Sequence, residues 1–565
     1  MLKDSKSLWG TPSRQPATDQ QRQVVNAMVA GGDHVCIAFA GSGKTATGVE
    51  VAHHMAGPGC MLMFNRAAKD DATPRMRAGV AVNTGHSLAY QHVIEPSAGY
   101  QAKLEAELNP ENGRRLSASL IAQILNLGST SDPDIPAASQ LAMAILKTIE
   151  AFQISREREP GPEHAPLDVL PLALRSPDAD ERAHEVCQRI AEHARALWQR
   201  MINERSGIPI THDTYLKILQ LREPYFSFDF WILDEYQDTT PVVDELVNQQ
   251  EGQKLYIGDP YQAIYSWRGA INALAGPIDR GLPVHYLTDS FRYNHQIAGM
   301  ATLILRALGE PVPVRGQPRN FIHRRADDNH TIICRTNLSI LVRAGELIVR
   351  GSPVFVDGGI PKSTYQRIES ALALFQGRPN DVRISTLRQM GSWTAFVDYA
   401  RGLGERADDM MNLIALVEQY QSQLPVLIDT LKRRLPYRNP RKPGQTTLIT
   451  AHRSKGRQFA HVELDPDIGL PGDLMIKIQN QAPLQPKERE SLHLLYVALT
   501  RAELSLELPK RIKENLKLLH GWFNRGTDTA ETFTAKTTIP LPKAHAQTAQ
   551  RARTEAFIRA HRRTD

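Results

Sequence analysis

The chain has 565 residues, of which 41% are hydrophobic and 23% are charged, and its formal net charge is +6. This length exceeds what one hydrophobic core supports and predicts roughly three to four domains or subdomains. The composition is typical of a globular protein, and no apolar run approaches the roughly 18 residues of a membrane-spanning helix, so we expect no membrane partner. The positive charge favours a polyanionic partner without requiring one.

Residues 1–10 lack the apolar segment and the cleavage site of a secretory signal. We therefore expect a cytoplasmic protein, associated with the nucleoid if its source is bacterial. The cysteines lie far apart in the sequence, a spacing that favours reduced structural thiols over a metal site. They are Cys36, Cys60, Cys187 and Cys334.

The first predicted elements are a helix, a strand, a small-residue loop and a second helix. Thr18 or Asp19 can cap the first helix, where the amide of Gln21 either reads an adenine edge or belongs to a polar helix face. The loop sequence is Ala38-Phe39-Ala40-Gly41-Ser42-Gly43-Lys44-Thr45. Backbone N–H groups of such a loop bind phosphate, its lysine reaches the outer phosphates, and its threonine hydroxyl can bind Mg²⁺. The pattern predicts a site for ATP and Mg²⁺, and a chance glycine-serine turn is the alternative.

The next strands are predicted to end in polar residues. One strand, at 78–82, leads to His86, and after a mostly helical stretch another strand ends in Asp234 and Glu235. Two adjacent carboxylates offer one to a metal ion and leave the other to act on water, whereas a solvated acidic strand end is the alternative. The following strand leads to Gln262 and then to Tyr265, Trp267 and Arg268. Aromatic residues beside an arginine suit base stacking on a single strand, unless Tyr265 and Trp267 belong to the core.

A second block of alternating strands and helices is predicted from about residue 281. It includes the strand 284–287 and is interrupted by a helical stretch at 362–444. The sheet returns at 446–459. From about residue 527 the chain is polar and rich in arginine, which indicates a flexible basic tail or, alternatively, an arm that binds a partner or nucleic acid.

These motifs, in this order, resemble those of the UvrD/Rep/PcrA-like group of superfamily 1 helicases. The resemblance covers residues 18–90, 212–345 and 446–510, and residues 64–68 and 211–217 are similar to the F-box DNA helicase branch, although no F-box is evident. The resemblance implies an α/β fold with two RecA-like parallel-sheet domains, each with a mostly helical insertion. The expected bounds are 1–90 and 212–280 for domain 1A, 91–211 for insertion 1B, 281–361 and 445–526 for domain 2A, 362–444 for insertion 2B, and 527–565 for the tail.

The resemblance also implies that ATP binds between the two domains and that single-stranded DNA crosses them. Glu235 would polarise the attacking water, Gln262 would sense the γ-phosphate, and Arg292 and Arg501 would reach it from the second domain. The implied ATP-binding residues are Gln21, Ala40, Gly41, Ser42, Gly43, Lys44, Thr45, Phe291 and Gln458. The implied Mg²⁺ ligands are Thr45 and Asp234, and the implied DNA-binding residues are His86, Tyr265, Trp267, Arg268 and His452.

The chain departs from the family pattern at three places. Ala38 replaces the first glycine of the phosphate loop, Gln458 stands where the family usually has glutamate, and insertion 2B is smaller than that of UvrD. An amide still hydrogen-bonds a ribose hydroxyl but carries no charge, so we expect the nucleotide affinity or the sugar preference to differ from that of the family. We also expect no appended nuclease domain, because about 60 residues follow Arg501.

The main hypothesis is an ATP-dependent 3′→5′ DNA helicase and translocase that acts on single-stranded DNA and on junctions with duplex DNA in repair, recombination or replication. The polarity comes from the family resemblance. The alternative is a DNA-stimulated NTPase that serves as a switch or strips proteins within a larger complex, for example in recombination control or phage defence. In that case a protein partner would bind insertion 2B or the tail. A nucleotide-binding scaffold without hydrolysis is disfavoured because the predicted catalytic residues are all present.

Overall fold

The computed structural model describes residues 16–109, 115–128, 137–166, 180–265, 269–322, 328–402, 408–435 and 440–524. It divides into two compact units, and the boundary lies between Leu287 and Thr288. Each unit is built around a parallel sheet, as predicted for the α/β fold.

The first unit contains a six-stranded sheet in the order β3-β2-β4-β5-β1-β6, and all of its neighbouring strands are parallel. The strands are β1 (His34–Ala38), β2 (Gly59–Met63), β3 (Val80–Thr84), β4 (Phe230–Leu233), β5 (Gln253–Gly258) and β6 (Val284–Leu287). Every residue of β1, β2 and β4 is buried, which explains why these strands read as continuous apolar runs. Because all strands are parallel, the residues that follow them lie along one edge of the sheet.

The described helices of the first unit fall into two groups. The first group lies between β3 and β4, where a mostly helical segment includes α5–α8, and in its core the rings of Phe152 and Trp198 meet edge to face at 5.1 Å. The second group comprises the other helices. Together the two groups are α1 (Asp19–Ala30), α2 (Lys44–His54), α3 (Arg66–Ala72), α4 (Gly85–Ala89), α5 (Ala98–Leu108), α6 (Ala118–Ile124), α7 (Ala138–Gln153), α8 (Asp180–Ile202), α9 (His212–Leu221), α10 (Pro241–Asn248) and α11 (Ala275–Asp279).

Lys217 joins α9 to this helical segment from a fully buried position. Its ammonium group lies 4.5 Å from the centre of the Phe152 ring and donates hydrogen bonds to the carbonyl oxygens of Ser155 (3.0 Å) and Glu157. Burial lowers the pKa of Lys217 to about 7. The ammonium group is therefore less favourable in the folded chain than in water.

The burial of Lys217 predicts that the stability of the folded protein depends on pH. Between pH 7 and about pH 10 the unfolded chain holds the Lys217 proton more tightly than the folded chain does. The contribution of Lys217 to the free energy of unfolding therefore rises with pH across that window. We expect the wild-type protein to gain stability over the Lys217→Met variant as the pH rises from 7 to 10. Urea denaturation of both proteins at several pH values measures the difference, and a difference that does not change with pH would contradict the prediction.

The second unit contains a five-stranded parallel sheet in the order β10-β11-β9-β12-β13 and a separate pair, β7-β8. The strands are β7 (Asp289–Asn294), β8 (Arg315–Gln317), β9 (His330–Cys334), β10 (Val354–Val356), β11 (Thr446–Thr450), β12 (Phe459–Leu464) and β13 (Ala502–Glu507). Helices α14–α18 lie between β10 and β11 and share a hydrophobic core with the strands. The described helices are α12 (His295–Ala307), α13 (Asn337–Val349), α14 (Lys362–Phe375), α15 (Ser385–Met390), α16 (Trp393–Gly402), α17 (Asp408–Tyr420), α18 (Leu424–Arg434), α19 (Ala451–Ser454), α20 (Gly472–Gln479), α21 (Pro486–Leu499) and α22 (Lys510–Asn524).

One strand lies in a different sheet from the one that we predicted. Residues 284–287 were expected to open the second block, but β6 pairs with β1 at the edge of the first sheet. A four-residue strand that is only partly buried carries too little pattern to show which neighbour it joins. The predicted tail at 527–565 lies outside the described residues.

The cysteines are free and buried, as predicted. Burial raises the pKa of the Cys36 thiol to about 12, which keeps it protonated and unreactive. Among the described helices, none combines the length and the apolar character that crossing a membrane requires.

Candidate active site

The phosphate loop leaves β1 and enters α2 through two glycines in left-handed conformations. Gly41 has φ 78°, and Gly43, the N-cap of α2, has φ 87°. No side chain caps this helix, so its first N–H groups point toward the site where an anion would bind. Both the backbone N–H and the hydroxyl of Thr47 donate to the carbonyl of Gly43, at 2.9 and 3.0 Å. These bonds hold the loop against the helix.

The loop meets the acidic pair at the end of β4. The Thr45 hydroxyl donates to Oδ2 of Asp234 at 2.6 Å, and the backbone N–H of Glu235 donates to Oδ1 of Asp234 at 2.9 Å. The Lys44 ammonium group lies 3.6 Å from Oε1 of Glu235. Four residues that the sequence placed in one site are therefore in contact although 189 positions separate Thr45 from Asp234. Burial, and next the charge of Glu235, raise the pKa of Asp234.

These residues fit a nucleoside triphosphate with Mg²⁺. The hydroxyl of Ser42 is buried and finds no hydrogen-bond partner among the described residues, so a phosphate oxygen would satisfy it. The hydroxyl of Thr45 and the carboxylate of Asp234 supply hard oxygen ligands, which Mg²⁺ prefers. Lys44 supplies positive charge beside them.

Gln21 packs its amide against the phosphate-loop helix. Its Oε1 accepts from the N–H of Thr18 at 3.0 Å, and its Nε2 donates to the hydroxyl of Thr47 at 3.1 Å. The structure thus links the first helix to α2 through one buried side chain. A role of Gln21 in reading adenine stays a prediction.

Glu235 adopts a strained backbone conformation. Its φ of 53° and ψ of 41° are left-handed, a region that costs a residue with a side chain on the order of 1–3 kcal/mol. Such strain concentrates at functional sites, where surrounding contacts hold it in place. Here the contacts include a hydrogen bond of 2.6 Å from Nε2 of Gln237 to Oε2 of Glu235.

The sequence did not assign a role to two residues that the structure places beside the predicted ones. Gln237 accepts the N–H of Asp259 at 3.0 Å, and Nε2 of Gln262 donates to Oδ2 of Asp259 at 2.6 Å. Gln237 and Asp259 therefore connect Glu235 with Gln262. Their sequence signal was weak: each lies within three residues of a predicted site residue, at the end of an adjacent strand.

Aromatic and basic side chains follow β2 and β3. Phe64 comes directly after β2, is 37% exposed, and stacks on Tyr265 with ring centres 5.6 Å apart and planes 13° from parallel. The ammonium nitrogen of Lys69 lies 3.2 Å from the hydroxyl of Ser87, and Ser87 belongs to α4, the helix that follows β3. The sequence predicts Phe64 as the last residue of a buried strand, whereas β2 ends at Met63 and the ring of Phe64 is exposed.

The other predicted DNA-binding residue of this edge is His86. Met63 and Thr84 are partners in the register of β2 and β3, so the residues that follow them share one edge of the sheet. Nε2 of His86 lies 2.9 Å from Oδ1 of Asp213. Trp267 and Arg268 lie outside the described residues.

The predicted arginines of the second unit converge on one loop. Arg292 donates from Nε to Oε1 of Gln458 at 3.1 Å and from a terminal nitrogen to the carbonyl of Thr500 at 3.0 Å. Arg501 is 1% exposed and donates to the carbonyls of Val497 and Arg457, at 2.9 and 3.2 Å. Gln458 and both arginines are thus neighbours, and contact with the γ-phosphate stays a prediction for the arginines.

The other predicted site residues of the second unit are Phe291 and His452. Phe291 precedes Arg292 and is 40% exposed, as a ring that stacks on a base would be. His452 lies on α19, with Nε2 3.8 Å from a carboxylate oxygen of Glu490. Roles for Phe291 and His452 stay predictions.

Comparisons with known proteins find similarity to DNA helicases. The family model of the UvrD/REP helicase N-terminal domain matches residues 17–275. The chain is 28% identical over 540 residues to F-box DNA helicase protein 1 of Schizosaccharomyces pombe, an alignment that covers 89% of this chain and 58% of the relative. It is 26% identical over 538 residues to F-box DNA helicase 1 of Gallus gallus, covering 90% of this chain and 50% of the relative. The chain therefore spans between half and three fifths of the length of these curated relatives.

Proposed function

We propose that the chain is a member of the UvrD-like group of superfamily 1 DNA helicases, near the F-box DNA helicase branch, and that it is an ATP-dependent helicase and translocase that moves 3′ to 5′ on single-stranded DNA. The observation that carries the proposal is the contact between the phosphate loop and the acidic pair, in which Lys44 and Thr45 meet Glu235 and Asp234. DNA repair, recombination or replication is the proposed setting.

Each residue of the acidic pair has a separate task in the proposed hydrolysis. Lys44 and the N–H groups of the loop bind the phosphates, and Thr45 and Asp234 would hold Mg²⁺. When bound, Mg²⁺ neutralises charge on the phosphate oxygens. Glu235 orients the attacking water and accepts its proton, a task that its fixed position beside Gln237 supports.

The DNA-binding part of the proposal rests on the stacked pair of Phe64 and Tyr265. Every base offers a π-face, so such a pair binds single strands without reading sequence. His86 lies at the same edge of the sheet. We therefore propose that single-stranded DNA passes this edge, with weak sequence preference.

Two assays on the purified chain test the proposed function. The first measures ATP hydrolysis with and without single-stranded DNA, and the second measures unwinding of partial duplexes with a 3′ or a 5′ overhang. Stimulated hydrolysis with unwinding from the 3′ overhang alone is the expected result. Stimulated hydrolysis without strand separation would favour the switch or protein-stripping alternative, with a protein partner sought on α14–α18. No stimulation would contradict both.

The stacked aromatic pair predicts a loss of DNA affinity. We expect Tyr265→Ala to raise the single-stranded DNA concentration for half-maximal ATPase stimulation by about tenfold to a hundredfold, because a stacked base contributes about 1–3 kcal/mol. The matched control is Tyr225→Ala. Tyr225 is 65% exposed and lies 3.4 Å from Glu251, which precedes β5, whereas Tyr265 follows that strand. Equal effects of the two variants would contradict a DNA site at this edge.

A further inference from the structure

We infer that Gln237 is a positioning residue that fixes the carboxylate of Glu235 and ties it to the loop that carries Gln262 and Tyr265. This role rests on the proposed function, in which Glu235 acts on the attacking water. It would make the rate of hydrolysis respond to the position of the DNA-contacting loop. The comparisons give Gln237 no role, and its position in the sequence does not reveal one.

The first observation is that both the nitrogen and the oxygen of the Gln237 side-chain amide are hydrogen-bonded. The side chain is buried, its Nε2 donates to Oε2 of Glu235 at 2.6 Å and to Oδ2 of Asp238 at 3.0 Å, and its Oε1 accepts from the N–H of Asp259 at 3.0 Å. Only an amide offers two donors at one end and an acceptor at the other. A carboxylate at this place would face two other carboxylates, and an aliphatic side chain would make none of these bonds.

The second observation is that the neighbouring backbone leaves room for this amide. Gly258 is the last residue of β5, and a β-carbon built on it would lie 2.4 Å from Oε1 of Gln237. A larger residue at 258 must displace the amide, and also Cδ1 of Leu274, which would lie 2.8 Å from that β-carbon. The glycine and the glutamine therefore form one arrangement, in which the strand end approaches the side chain that holds Glu235.

The third observation is the continuation of the bonds into the next loop. Asp259 is fully buried, and its carboxylate accepts from Nε2 of Gln262 at 2.6 Å and from the N–H of Tyr261 at 3.1 Å. Three residues beyond Gln262, Tyr265 stacks on Phe64. A shift of this loop moves the N–H of Asp259, and through Gln237 it moves the carboxylate of Glu235.

The chain contains a matched control for a buried glutamine. Gln250 is also buried, its Oε1 accepts from the N–H of Phe226 at 3.0 Å, and its Nε2 donates to the carbonyls of Pro224 and Leu246 at 2.8 and 3.0 Å. Its side chain makes three hydrogen bonds, as does the side chain of Gln237. It precedes β5, whereas Gln237 lies against the residue that ends this strand.

The experiment compares Gln237→Leu and Gln250→Leu with the wild-type protein by DNA-stimulated ATPase kinetics and thermal melting. We expect Gln237→Leu to lower kcat by about tenfold to a hundredfold, since a small displacement of a catalytic group has effects of this size, with the KM for ATP and the Kd for single-stranded DNA within about twofold of wild type. Gln250→Leu should melt at a similarly lowered temperature and keep a kcat within about twofold of wild type.

A second variant keeps the test decisive if Gln237→Leu fails to fold. Gly258→Ala retains the amide but displaces it, so it should reproduce the selective loss of kcat. A kcat near wild type in whichever of these two variants folds, or an equal loss in the Gln250→Leu control, would overturn the role of Gln237 while the proposed function stands. A wild-type protein without DNA-stimulated hydrolysis would overturn the proposed function and this role together.

Discussion

Replacement of Glu235 with glutamine is expected to lower the kcat of ATP hydrolysis by a factor of about 10² to 10⁴, the contribution of a positioned general base. The variant keeps the size of the side chain and its acceptor oxygen, so Gln237 still has a partner at 235. What it loses is the ability to accept a proton from water. Lys44 also loses the charge that lies 3.6 Å away, which affects the bound phosphates little, so the KM for ATP should change by less than about threefold.

The control for this prediction is Glu50→Gln on the same phosphate-loop helix. Glu50 lies 3.8 Å from His54 on the exposed side of α2, so its substitution removes an equal charge without touching the site. The measurement is steady-state ATPase kinetics with saturating single-stranded DNA. Turnover by Glu235→Gln at the wild-type rate would show that another group activates the water.

The sequence was most informative where the chemistry lies within one motif. The loop from Ala38 to Thr45 needs its glycines for positive φ values and its lysine for charge, so its spacing alone predicts a phosphate site. The pair Asp234 and Glu235 was equally readable, because two carboxylates at the end of an apolar strand have few structural uses. Their contact with the loop followed from the parallel sheet, which places the ends of β1 and β4 on one edge.

The sequence was least informative where a side chain acts through distant partners. The inferred role of Gln237 depends on Gly258 and Asp259, which come close to its side chain only because β5 lies beside β4. Lys217 has an ordinary place in an amphipathic helix, and its burial depends on the carbonyls of Ser155 and Glu157, which follow α7 in the chain. No periodicity encodes such contacts, because a hydrogen bond to a remote residue leaves no regular spacing in the sequence.

Gln458 shows how a residue identified from the sequence acquires a second candidate role in the structure. The resemblance implied a hydrogen bond to the ribose of ATP. The structure shows its Oε1 accepting from Nε of Arg292, while the carbonyl of Thr500 accepts from the same guanidinium group. Two acceptors fix the plane of an arginine, which a single ion pair does not. A neutral amide at 458 accepts this hydrogen bond without adding a negative charge beside Arg292.

Arg292 is expected to have an effect on hydrolysis comparable with that of Glu235. An arginine that stabilises the transferring phosphoryl group contributes about 10³ to 10⁵ to kcat, so we expect Arg292→Ala to lower kcat by at least about 10³. Arg292→Lys should recover little, because one ammonium group cannot reproduce the planar fork held by Gln458 and Thr500. Arg315→Ala, which removes a mostly exposed arginine of β8, is the control. A kcat above one tenth of wild type in Arg292→Ala would contradict the assignment.

The Gln458→Ala variant then separates the two roles of the amide. If Gln458 orients Arg292, the variant lowers kcat by about tenfold, as expected for a misplaced charged group, and it does so equally with ATP and with 2′-deoxy or 3′-deoxy ATP. If it binds the ribose, the variant raises the KM for ATP and leaves the KM for one of the deoxy analogues unchanged, because that analogue lacks the hydroxyl in question. We expect the first result, since the structure shows the amide oxygen accepting from Nε of Arg292 at 3.1 Å. Gln458→Glu adds a test of charge: a carboxylate pairs with Arg292 and reduces its effect on the phosphoryl group, so kcat should fall although both hydrogen-bond acceptors remain.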